Sequence, residues 1–376
     1  MNQIEQHLSV LMTSTSFPEH SNDWKGLFIL RMLEGLCARP QLQMHTWCPP
    51  GPLPEHANCA LQAGDARWLK DLNSKGGIAQ LLRKKPFEGF IASLSLLKRL
   101  NRAFKSRSTN VYHVNWLQCA LALPSNSRPA VICVLGTDME LLKLPLVNRA
   151  LRNRIANRKT VICPNSDWMV EPLRTAFGDI AKVECVPFGI DDRWYEVKRS
   201  PDRDREKWLC VSRITKGKIG DLFDWGSNIF NDGKRELHLV GPLQDEDISI
   251  PEWVNFHGPA TPELLAEKWF PEVTGLISLS RHSEGRPQVM LEAMAAGLPI
   301  IASRLPAHED LISKNSVGRI CDNQSMLIEA LEFFGDPVNN KNTQLQSREL
   351  TKERFGNWDD CARRFIDVYT TLVGDQ

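Results

Sequence analysis

The hydrophobic positions of this chain fall into short apolar runs separated by longer amphipathic stretches. In the first half, the apolar runs predict strands at Leu8–Thr13, Gln43–Trp47, Asn110–His113, Ala130–Leu135 and Thr160–Pro164. The amphipathic stretches predict helices near Leu27–Ala38, Ile78–Leu82, Ile91–Phe104, Leu144–Arg158 and Trp168–Phe177. Short strands that alternate with helices are typical of a mostly parallel sheet built from βα units.

The same alternation starts again at Lys207. Its predicted strands are Trp208–Ser212, Glu236–Val240, Val254–Phe256, Gly275–Leu279 and Ile300–Ala302, and its predicted helices are Gly220–Ile229, Pro262–Trp269, Pro287–Ala296 and Ser325–Phe334. A charged run that is poor in aliphatic residues separates the two series and predicts an interdomain linker. We therefore predict an α/β chain with a first domain over 1–190, a linker over 191–206 and a second domain over 207–355. A C-terminal helix over 356–376 could pack back toward the first domain.

Charge, cysteine content and apolar run lengths narrow the class of protein. The 376 residues carry a formal net charge of +1, which argues against a general nucleic-acid binder. The ten cysteines are scattered without a Cys-x-x-Cys pair, which is typical of reduced core residues. The start of the chain is polar, and no apolar run approaches the roughly 20 residues that span a bilayer. We expect a cytoplasmic protein that could bind peripherally at the inner membrane face.

The most informative segment is Ser280–Pro299, in which two glutamates lie on either side of a predicted helix start. Pro287 suits a first helical position, so Glu284 falls in the preceding loop and Glu292 falls inside the helix. A helix N-terminus offers free N–H groups and a partial positive charge. The amides could hold a phosphate while the acids hold a hydroxyl-rich sugar. An ordinary amphipathic helix with two solvated acids is the simpler alternative.

This segment resembles the E-x7-E motif of the retaining GT-B glycosyltransferases, specifically glycosyltransferase family 4. The resemblance implies two Rossmann-like, doubly wound domains that face each other across a cleft. It extends from about Leu8 to the C-terminal helix and is stronger in the second domain than in the first. It implies that Glu284 acts in catalysis by holding the donor sugar, that Glu292 holds the nucleotide ribose, and that Gly285 and Arg286 help to bind the donor diphosphate.

Two cations follow the first strand of the second series. Arg213 and Lys218 lie five positions apart, and their segment resembles the family's strand–Gly/Ser-Arg-Leu–loop–Lys-Gly sequence. The resemblance implies that both bind the donor diphosphate, since arginine supplies a fork of donors and lysine a compact charge. Ile219 stands after Lys218 where the family usually has glycine, so Lys216 is a second candidate.

No metal site is predicted. The triplets Asp202–Asp204 and Asp245–Asp247 have Asp-x-Asp spacing, but both lie in polar connecting segments. A metal-free enzyme must neutralise the leaving diphosphate with fixed cations and helix amides. We expect no cofactor, and a nucleotide-diphosphate sugar as the co-substrate.

The predicted proton-handling residue is His113, at the end of a predicted strand. Its segment is similar to the family's D-x-x-H-x-H strand end, with Asn110 in place of the acid and Asn115 in place of the second histidine. The resemblance implies that His113 contacts the reacting sugar from the interdomain cleft. A buried histidine that only satisfies a backbone partner is the alternative.

Three further residues are candidates for an acceptor or donor loop. Asp138 matches the family's strand-ending hG-x-D pattern, and could either bind an acceptor hydroxyl or cap the next helix. Lys25 and Gly26 stand where the family carries a Gly-Gly pair. Gly26 keeps the geometry for holding an anion at a helix start, and Lys25 could supply charge instead.

Residues 83–107 are basic and amphipathic. Eight cations accompany a single acid, Glu88, with apolar side chains between them. Such a stretch could dock on anionic lipid. A helix that packs its apolar side on its own sheet has the same pattern.

The leading hypothesis is a metal-independent, retaining hexosyltransferase that uses a nucleotide sugar and a saccharide or lipid-linked acceptor in surface polysaccharide or glycolipid assembly. The second hypothesis is a non-catalytic sugar-binding or partner protein with a GT-B-like fold. A nicotinamide-dependent oxidoreductase is disfavoured, because no Gly-x-Gly-x-x-Gly follows a predicted strand.

Overall fold

The structure is a computed structural model that describes residues 7–20, 23, 25–202, 205–245 and 247–374. The polar start of the chain, Trp24 of the first loop, and Arg203, Asp204 and Glu246 of the two Asp-x-Asp triplets lie outside the described residues. The chain divides into two compact units. The first unit combines Met1–Phe188 with Trp358–Gln376, and the second unit is Gly189–Asn357.

The first unit is built on a parallel sheet in the order β3-β2-β1-β4-β5-β6-β7. Its strands are β1 (Leu8–Thr13), β2 (Leu42–Trp47), β3 (Ala57–Cys59), β4 (Val111–Asn115), β5 (Ala130–Val134), β6 (Thr160–Pro164) and β7 (Lys182–Val183). Its helices are α1 (Leu27–Cys37), α2 (Asp65–Ser74), α3 (Gly77–Lys84), α4 (Pro86–Ser106), α5 (Pro145–Ile155) and α6 (Val170–Phe177). The central strands β4, β5 and β6 are buried at every position, as expected where both faces of a parallel sheet are covered.

The second unit repeats this design with the parallel order β10-β9-β8-β11-β12-β13. Its strands are β8 (Glu206–Val211), β9 (Arg235–Val240), β10 (Val254–Phe256), β11 (Gly275–Ser278), β12 (Ile300–Ser303) and β13 (Gly318–Cys321). Its helices are α7 (Asp192–Glu196), α8 (Lys216–Ile219), α9 (Leu222–Gly226), α10 (Pro262–Leu264), α11 (Phe270–Glu272), α12 (Gln288–Ala295), α13 (Pro306–Leu311), α14 (Gln324–Gly335) and α15 (Pro337–Arg354). A π-helical turn, Leu265–Trp269, joins α10 to α11.

The C-terminal helix α16 (Trp358–Gly374) belongs to the first unit. It packs against α1, where a Cβ added to Gly35 would lie 2.9 Å from the carbonyl oxygen of Trp358. Its apolar face buries Phe365 and Tyr369 in the same core cluster as α1. The chain therefore returns to the first unit at its end.

The predicted linker over 191–206 is wrong, because the described part of this run is built into the second unit. Asp191 caps α7 by accepting a hydrogen bond from the backbone N–H of Arg193 at 3.1 Å. Trp194 is buried against Phe270, with ring centroids 5.0 Å apart. Arg199 donates hydrogen bonds to several carbonyl oxygens of the unit. The high charge of this run predicted a linker, although the run contains a buried tryptophan and an arginine with a structural role.

Within the described ranges, no helix combines the length and the apolarity needed to cross a membrane.

Candidate functional site

The second sheet reverses its strand order between β8 and β11, and open α/β sheets bind ligands beyond the carboxyl ends of the strands at such a point. Two loops leave the sheet here. The loop after β8 carries Arg213 and Lys218, and the loop after β11 carries Glu284. The topology therefore brings three of the predicted site residues to one edge of one sheet.

These two loops contact each other through their backbones. The backbone N–H of Arg281 donates to the carbonyl oxygen of Gly217 at 2.8 Å. Gly220 has a φ of +55°, and an added Cβ would lie 1.9 Å from the carbonyl oxygen of Leu279. Glycine is the residue that accepts both the left-handed backbone and this close approach. The spacing between the cations and the acid is thus set by the backbone.

Lys218 and Glu284 form an ion pair, with 2.5 Å between Nζ and Oε1. The two side chains are 15% and 14% exposed, so the pair is largely shielded but can still be reached from solvent. Burial lowers the pKa of Lys218, while the charge and hydrogen bond of Glu284 act in the opposite direction. Lys218 lies in α8, which Thr215 caps by accepting from the backbone N–H of Lys218 at 3.3 Å.

Arg213 lies half-buried on the same loop, close enough that its charge also lowers the pKa of Lys218. Two cations against one carboxylate leave this edge with a positive balance that suits an anion. Lys216, the second candidate, is different. It is exposed and pairs with Asp247 at 2.5 Å. The geometry therefore places Lys218, and not Lys216, beside Glu284.

Glu292 lies half-buried on α12 and accepts no hydrogen bond through its carboxyl group from any residue in the described part of the chain. Its pKa is raised to about 8, chiefly by burial and also by the nearby charge of Asp191, while the charge of Arg193 acts in the opposite direction. A shielded carboxyl that accepts no hydrogen bond within the described ranges fits a ligand that brings hydroxyl groups. Glu292 as a ribose contact stays a prediction.

Arg286 lies inside the second unit, and its predicted contact with a diphosphate stays a prediction. Its side chain is 1% exposed, donates to Oδ2 of Asp310 at 3.1 Å, and lies 4.6 Å from the ring centroid of Phe355. Arg354 contacts the same carboxylate and the same ring. The helix after Arg286 turns its guanidinium into the unit, where it has a structural role. Gly285 is buried in the turn before α12, and its role in diphosphate binding stays a prediction.

His308, on α13, is a neighbour of this site that the sequence reasoning missed. Its Nδ1 donates to the carbonyl oxygen of Ser303 at 2.9 Å, because a carbonyl only accepts. Its Nε2 is buried and has no hydrogen-bond partner among the described residues. Burial lowers its pKa, and the charges of Glu284 and Lys218 act on it. The available signal was a histidine just after a strand end in the second series.

The structure corrects the expectation for His113. The ring is fully buried within the first unit, 2.5 Å from the hydroxyl oxygen of Tyr369 at Nδ1 and 3.2 Å from Sγ of Cys133 at Nε2. Phe365 packs on it, with ring centroids 4.9 Å apart. Burial lowers its pKa to about 3. Since α16 and the sheet occupy both nitrogens, His113 is a neutral core residue.

Asp138 also has a structural role, and the expected contact with an acceptor hydroxyl is not supported. Its carboxylate accepts from the backbone N–H groups of Leu117 at 3.0 Å, Leu135 at 3.0 Å and Gly136 at 2.8 Å. Burial raises its pKa, and these backbone hydrogen bonds oppose the shift. The side chain therefore joins the loops that follow β4 and β5.

The first loop keeps its predicted arrangement around Gly26. This glycine precedes α1 with a φ of +69°, and an added Cβ would lie 2.7 Å from both the backbone nitrogen of Phe17 and Oγ of Ser16. Lys25 is exposed, and its backbone N–H donates to Asp23 at 3.0 Å. Ligand contacts by Lys25 and Gly26 stay predictions. In the described residues, no group of three or more His, Cys, Asp or Glu side chains is placed to hold a metal ion.

Comparison with known proteins agrees with this geometry. Residues 207–334 match the family described as glycosyl transferases group 1. A GDP-mannose-dependent alpha-(1-6)-phosphatidylinositol monomannoside mannosyltransferase of Mycobacterium tuberculosis is 27% identical over 216 residues, which are 51% of this chain and 56% of that protein. The chain therefore matches little more than half the length of this curated relative.

Solved structures match over nearly the whole chain. Sucrose-phosphate synthase from Thermosynechococcus elongatus superposes with a TM-score of 0.75 at 16% identity, covering 98% of this chain and 100% of that chain. Anabaena HepE, solved in complex with UDP and glucose, has a TM-score of 0.65 at 13% identity, with 97% and 100% covered. Residues 207–334 thus resemble the group 1 glycosyl transferases, and the chain has the two Rossmann-like domains of the GT-B fold.

Proposed function

We propose that this chain is a retaining, metal-independent glycosyltransferase of family 4, which moves a hexosyl group from a nucleotide-diphosphate sugar to a saccharide or lipid-linked acceptor. The observation that carries the proposal is the shielded Lys218–Glu284 pair, with Arg213 beside it, at the switch point of the second sheet. It supplies a cation for a phosphate and a carboxylate for hydroxyl groups on two loops held at a fixed distance.

Donor binding uses both members of this pair. Lys218 turns from Glu284 to the diphosphate, and Arg213 adds a planar fork of donors to the same group. Glu284, released from the ammonium, accepts hydrogen bonds from the hydroxyls of the transferred sugar. Glu292 receives the ribose hydroxyls. Charges that are fixed before the reaction stabilise the leaving group without reorganisation. In this proposal the two cations therefore neutralise the diphosphate, as a metal ion does in metal-dependent transferases.

The transfer step follows from this arrangement. The bond between the anomeric carbon and the diphosphate oxygen breaks, and its electron pair stays on the diphosphate that Arg213 and Lys218 hold. The acceptor oxygen forms its bond to the anomeric carbon from the same face. Its proton passes to an oxygen of the departing phosphate, because His113 is enclosed in a core. Retention and freedom from a protein base are thus linked in this proposal.

The donor class is supported by the known proteins that resemble this chain. The mycobacterial relative is named for GDP-mannose, and HepE was solved with UDP and glucose. Each protein is thus associated with a nucleoside diphosphate and a hexose. A mannosyltransferase that acts on a phosphatidylinositol mannoside also supports a lipid-linked acceptor and a place in glycolipid or surface polysaccharide assembly.

A peripheral membrane contact on the cytoplasmic side belongs to the same proposal, and α4 supports it. Four apolar side chains on successive turns are more than half exposed: Phe87 at 75%, Phe90 at 57%, Ile91 at 51% and Leu94 at 53%. Toward the C-terminal end this face becomes basic, with exposed Lys98, Arg102 and Lys105. The opposite side of the helix buries Leu100 and Phe104 in the unit's core. The helix therefore packs on its sheet and still presents a second apolar surface, for which anionic lipid is a suitable partner.

A thermal-shift panel of UDP, GDP, UDP-glucose and GDP-mannose tests the donor site. A ligand that binds the native state raises Tm by mass action. We expect a shift with one nucleotide family, absent in Arg213→Ala and retained in Lys216→Ala. The bound donor is then incubated with and without glycolipid or saccharide acceptors, in EDTA and in Mg²⁺. Binding without any turnover would favour a non-catalytic sugar-binding protein, and activity lost in EDTA would contradict metal independence.

Liposome co-sedimentation tests the membrane contact. Binding should rise with the content of anionic lipid and fall as salt screens the charges. Phe90→Ser combined with Leu94→Ser should abolish it, and Leu146→Ser, a highly exposed leucine at the start of α5, serves as the matched control. Absence of binding to anionic vesicles at low salt would reject this part of the proposal.

A further inference from the structure

The first sheet also has a switch point, between β1 and β4, and Trp116 follows β4 there directly. Its backbone has φ +69° and ψ +130°, a combination that is unfavourable for a residue with a side chain. Among the described residues, Trp116 and His56 are the non-glycine residues with a positive φ. Strain of this kind persists where the surroundings determine it, and it is concentrated at ligand sites.

Two buried polar side chains hold this conformation. On one side, Nδ2 of Asn115 donates to the carbonyl oxygen of Thr13 at 3.1 Å. On the other side, Oδ2 of Asp138 accepts from the backbone N–H of Leu117 at 3.0 Å. Asn115 and Asp138 are 0% and 3% exposed. Asn115 and Asp138, the latter a candidate for ligand contact, thus fix the backbone on either side of one tryptophan.

The conformation places an indole at the carboxyl edge of the sheet. Phe28 meets the Trp116 ring edge-on, with centroids 6.4 Å apart and an interplanar angle of 69°, and Phe28 stacks on Phe188 at 5.3 Å. Trp116 is half-buried, so part of its surface is open. Its indole N–H has no hydrogen-bond partner in the described part of the chain, although a tryptophan enclosed by protein usually finds one.

The geometry points to Trp116 as the binding platform for the acceptor, and to an acceptor that presents a saturated, polyhydroxylated ring. Such a ring has a face of C–H groups that suits the negative face of an indole, and a rim of hydroxyls that can accept from the free N–H. This inference rests on the proposed transferase function, and it names the chemical class of the group that receives the sugar: a pyranose or a cyclitol.

Saturation-transfer NMR tests the platform without turnover. The probes are methyl α-D-mannopyranoside and myo-inositol, and glycerol is the open-chain control. We expect the ring C–H protons of at least one ring probe to receive saturation from the wild-type chain, and glycerol to receive none. Trp116→Leu should lose the signal, while Trp168→Leu, at a half-buried tryptophan elsewhere in the first unit, should keep it.

Kinetics supply a second readout if the wild-type chain turns over its donor. Trp116→Leu should raise the acceptor KM by about tenfold, the size expected for one aromatic contact, and leave the donor KM unchanged. Asp138→Asn should act in the same direction through the position of Leu117, and its Tm shows whether the unit is still folded. Trp116→Phe keeps an aromatic face and should retain part of the affinity.

The possible failures are distinguishable. A wild-type chain that binds neither ring probe, or a Trp116→Leu variant that binds them unchanged, overturns the platform even if the donor is consumed. A chain that binds no nucleotide and consumes no donor overturns the transferase function instead, whatever the ring probes show.

Discussion

The two units share a switch point in their sheets but carry different side chains at it. In each sheet the strand order reverses between two central strands, β1 and β4 in one unit and β8 and β11 in the other. At the second switch point the loops carry a cation, a second cation and a carboxylate. At the first they carry an aromatic ring and buried amide and carboxyl groups that bond to backbone.

In our proposal, this difference divides one reaction between two copies of the same scaffold. A diphosphate needs charge that is only partly shielded, and Lys218 and Glu284 are each about one-seventh exposed. A ring needs a rigid surface, so the first unit uses Asn115 and Asp138 to hold a strained backbone. Fold alone does not assign a function to either edge, because the fold provides the position and the side chains provide the chemistry.

Removing Lys218 is the strongest way to test the charged edge. Lys218→Ala takes away one preorganised charge from the leaving group, and we expect kcat to fall by on the order of 10²–10³. It also leaves Glu284 shielded without its partner, so the variant's Tm must be measured alongside turnover of the donor.

Lys216→Ala is the matched control, two positions away and also paired with a carboxylate. Its side chain is 68% exposed, so its loss should change activity by less than about twofold. If Lys216→Ala is crippling and Lys218→Ala is mild, the diphosphate contact has been assigned to the wrong lysine.

Glu284→Gln tests whether the acid orients the sugar. The amide keeps the shape of the side chain but replaces one carboxylate oxygen with an NH2 donor and removes the charge, so the sugar hydroxyls lose one acceptor and the stronger hydrogen bonds to a charged group. We expect kcat to fall by about 10², with a smaller change in the donor KM. Turnover of the donor at saturation, with KM measured in parallel, is the check. Unchanged kcat in a folded variant would remove Glu284 from the reaction.

The fold was largely predictable because apolar runs report buried parallel strands. β1, β6 and β10 begin and end where their patterns predicted. Shorter edge strands were missed: β3, β7 and β13 lie at or near sheet margins, where few positions are buried and the apolar signal is weak. The helix α15 was missed for a similar reason, since its sequence is mostly polar.

The site was predictable where backbone spacing decides the outcome, and it was not where side-chain direction decides it. Lys218 and Glu284 come from two loops that the topology must bring together. Arg286 is two residues from Glu284, yet its side chain turns inward to Asp310. His113 lies on a strand whose five positions are all buried, and α16, distant in sequence, covers it. Neither contact leaves a local trace in the sequence.

Glu292→Gln should have a moderate effect on activity and a pH-dependent effect on stability. The donor KM should rise by about tenfold, the cost of one lost contact with the ribose. The folded pKa is about 8, above the unfolded value, so between roughly pH 4.5 and 8 the folded chain holds a proton that the unfolded chain has lost. Stability therefore falls as pH rises through this window, by up to about 1.4 kcal/mol per pH unit.

Glutamine does not titrate, so the Tm difference between Glu292→Gln and the wild type should grow in favour of the variant from pH 5 to pH 8. Thermal unfolding at these two pH values, with a nucleotide titration at pH 7.5, provides the measurement. A constant Tm difference would show that the carboxyl is not shielded as described.

His113→Gln should leave activity within about twofold of the wild type, the smallest effect expected here. Its ring touches Tyr369 and Cys133 inside the first unit, and glutamine can keep a polar contact there. The folded pKa of His113, about 3, lies below its unfolded value near 6.5. Between about pH 3 and 6.5 the unfolded chain therefore binds a proton at this histidine and the folded chain does not. This difference in proton binding does not affect the free energy of unfolding above about pH 6.5, and it destabilises the fold progressively as pH falls toward 3. Acid unfolding of the variant should therefore begin at lower pH than that of the wild type. A loss of turnover beyond tenfold, with an unchanged Tm at pH 7.5, would return His113 to the reaction and break the contrast between the two edges.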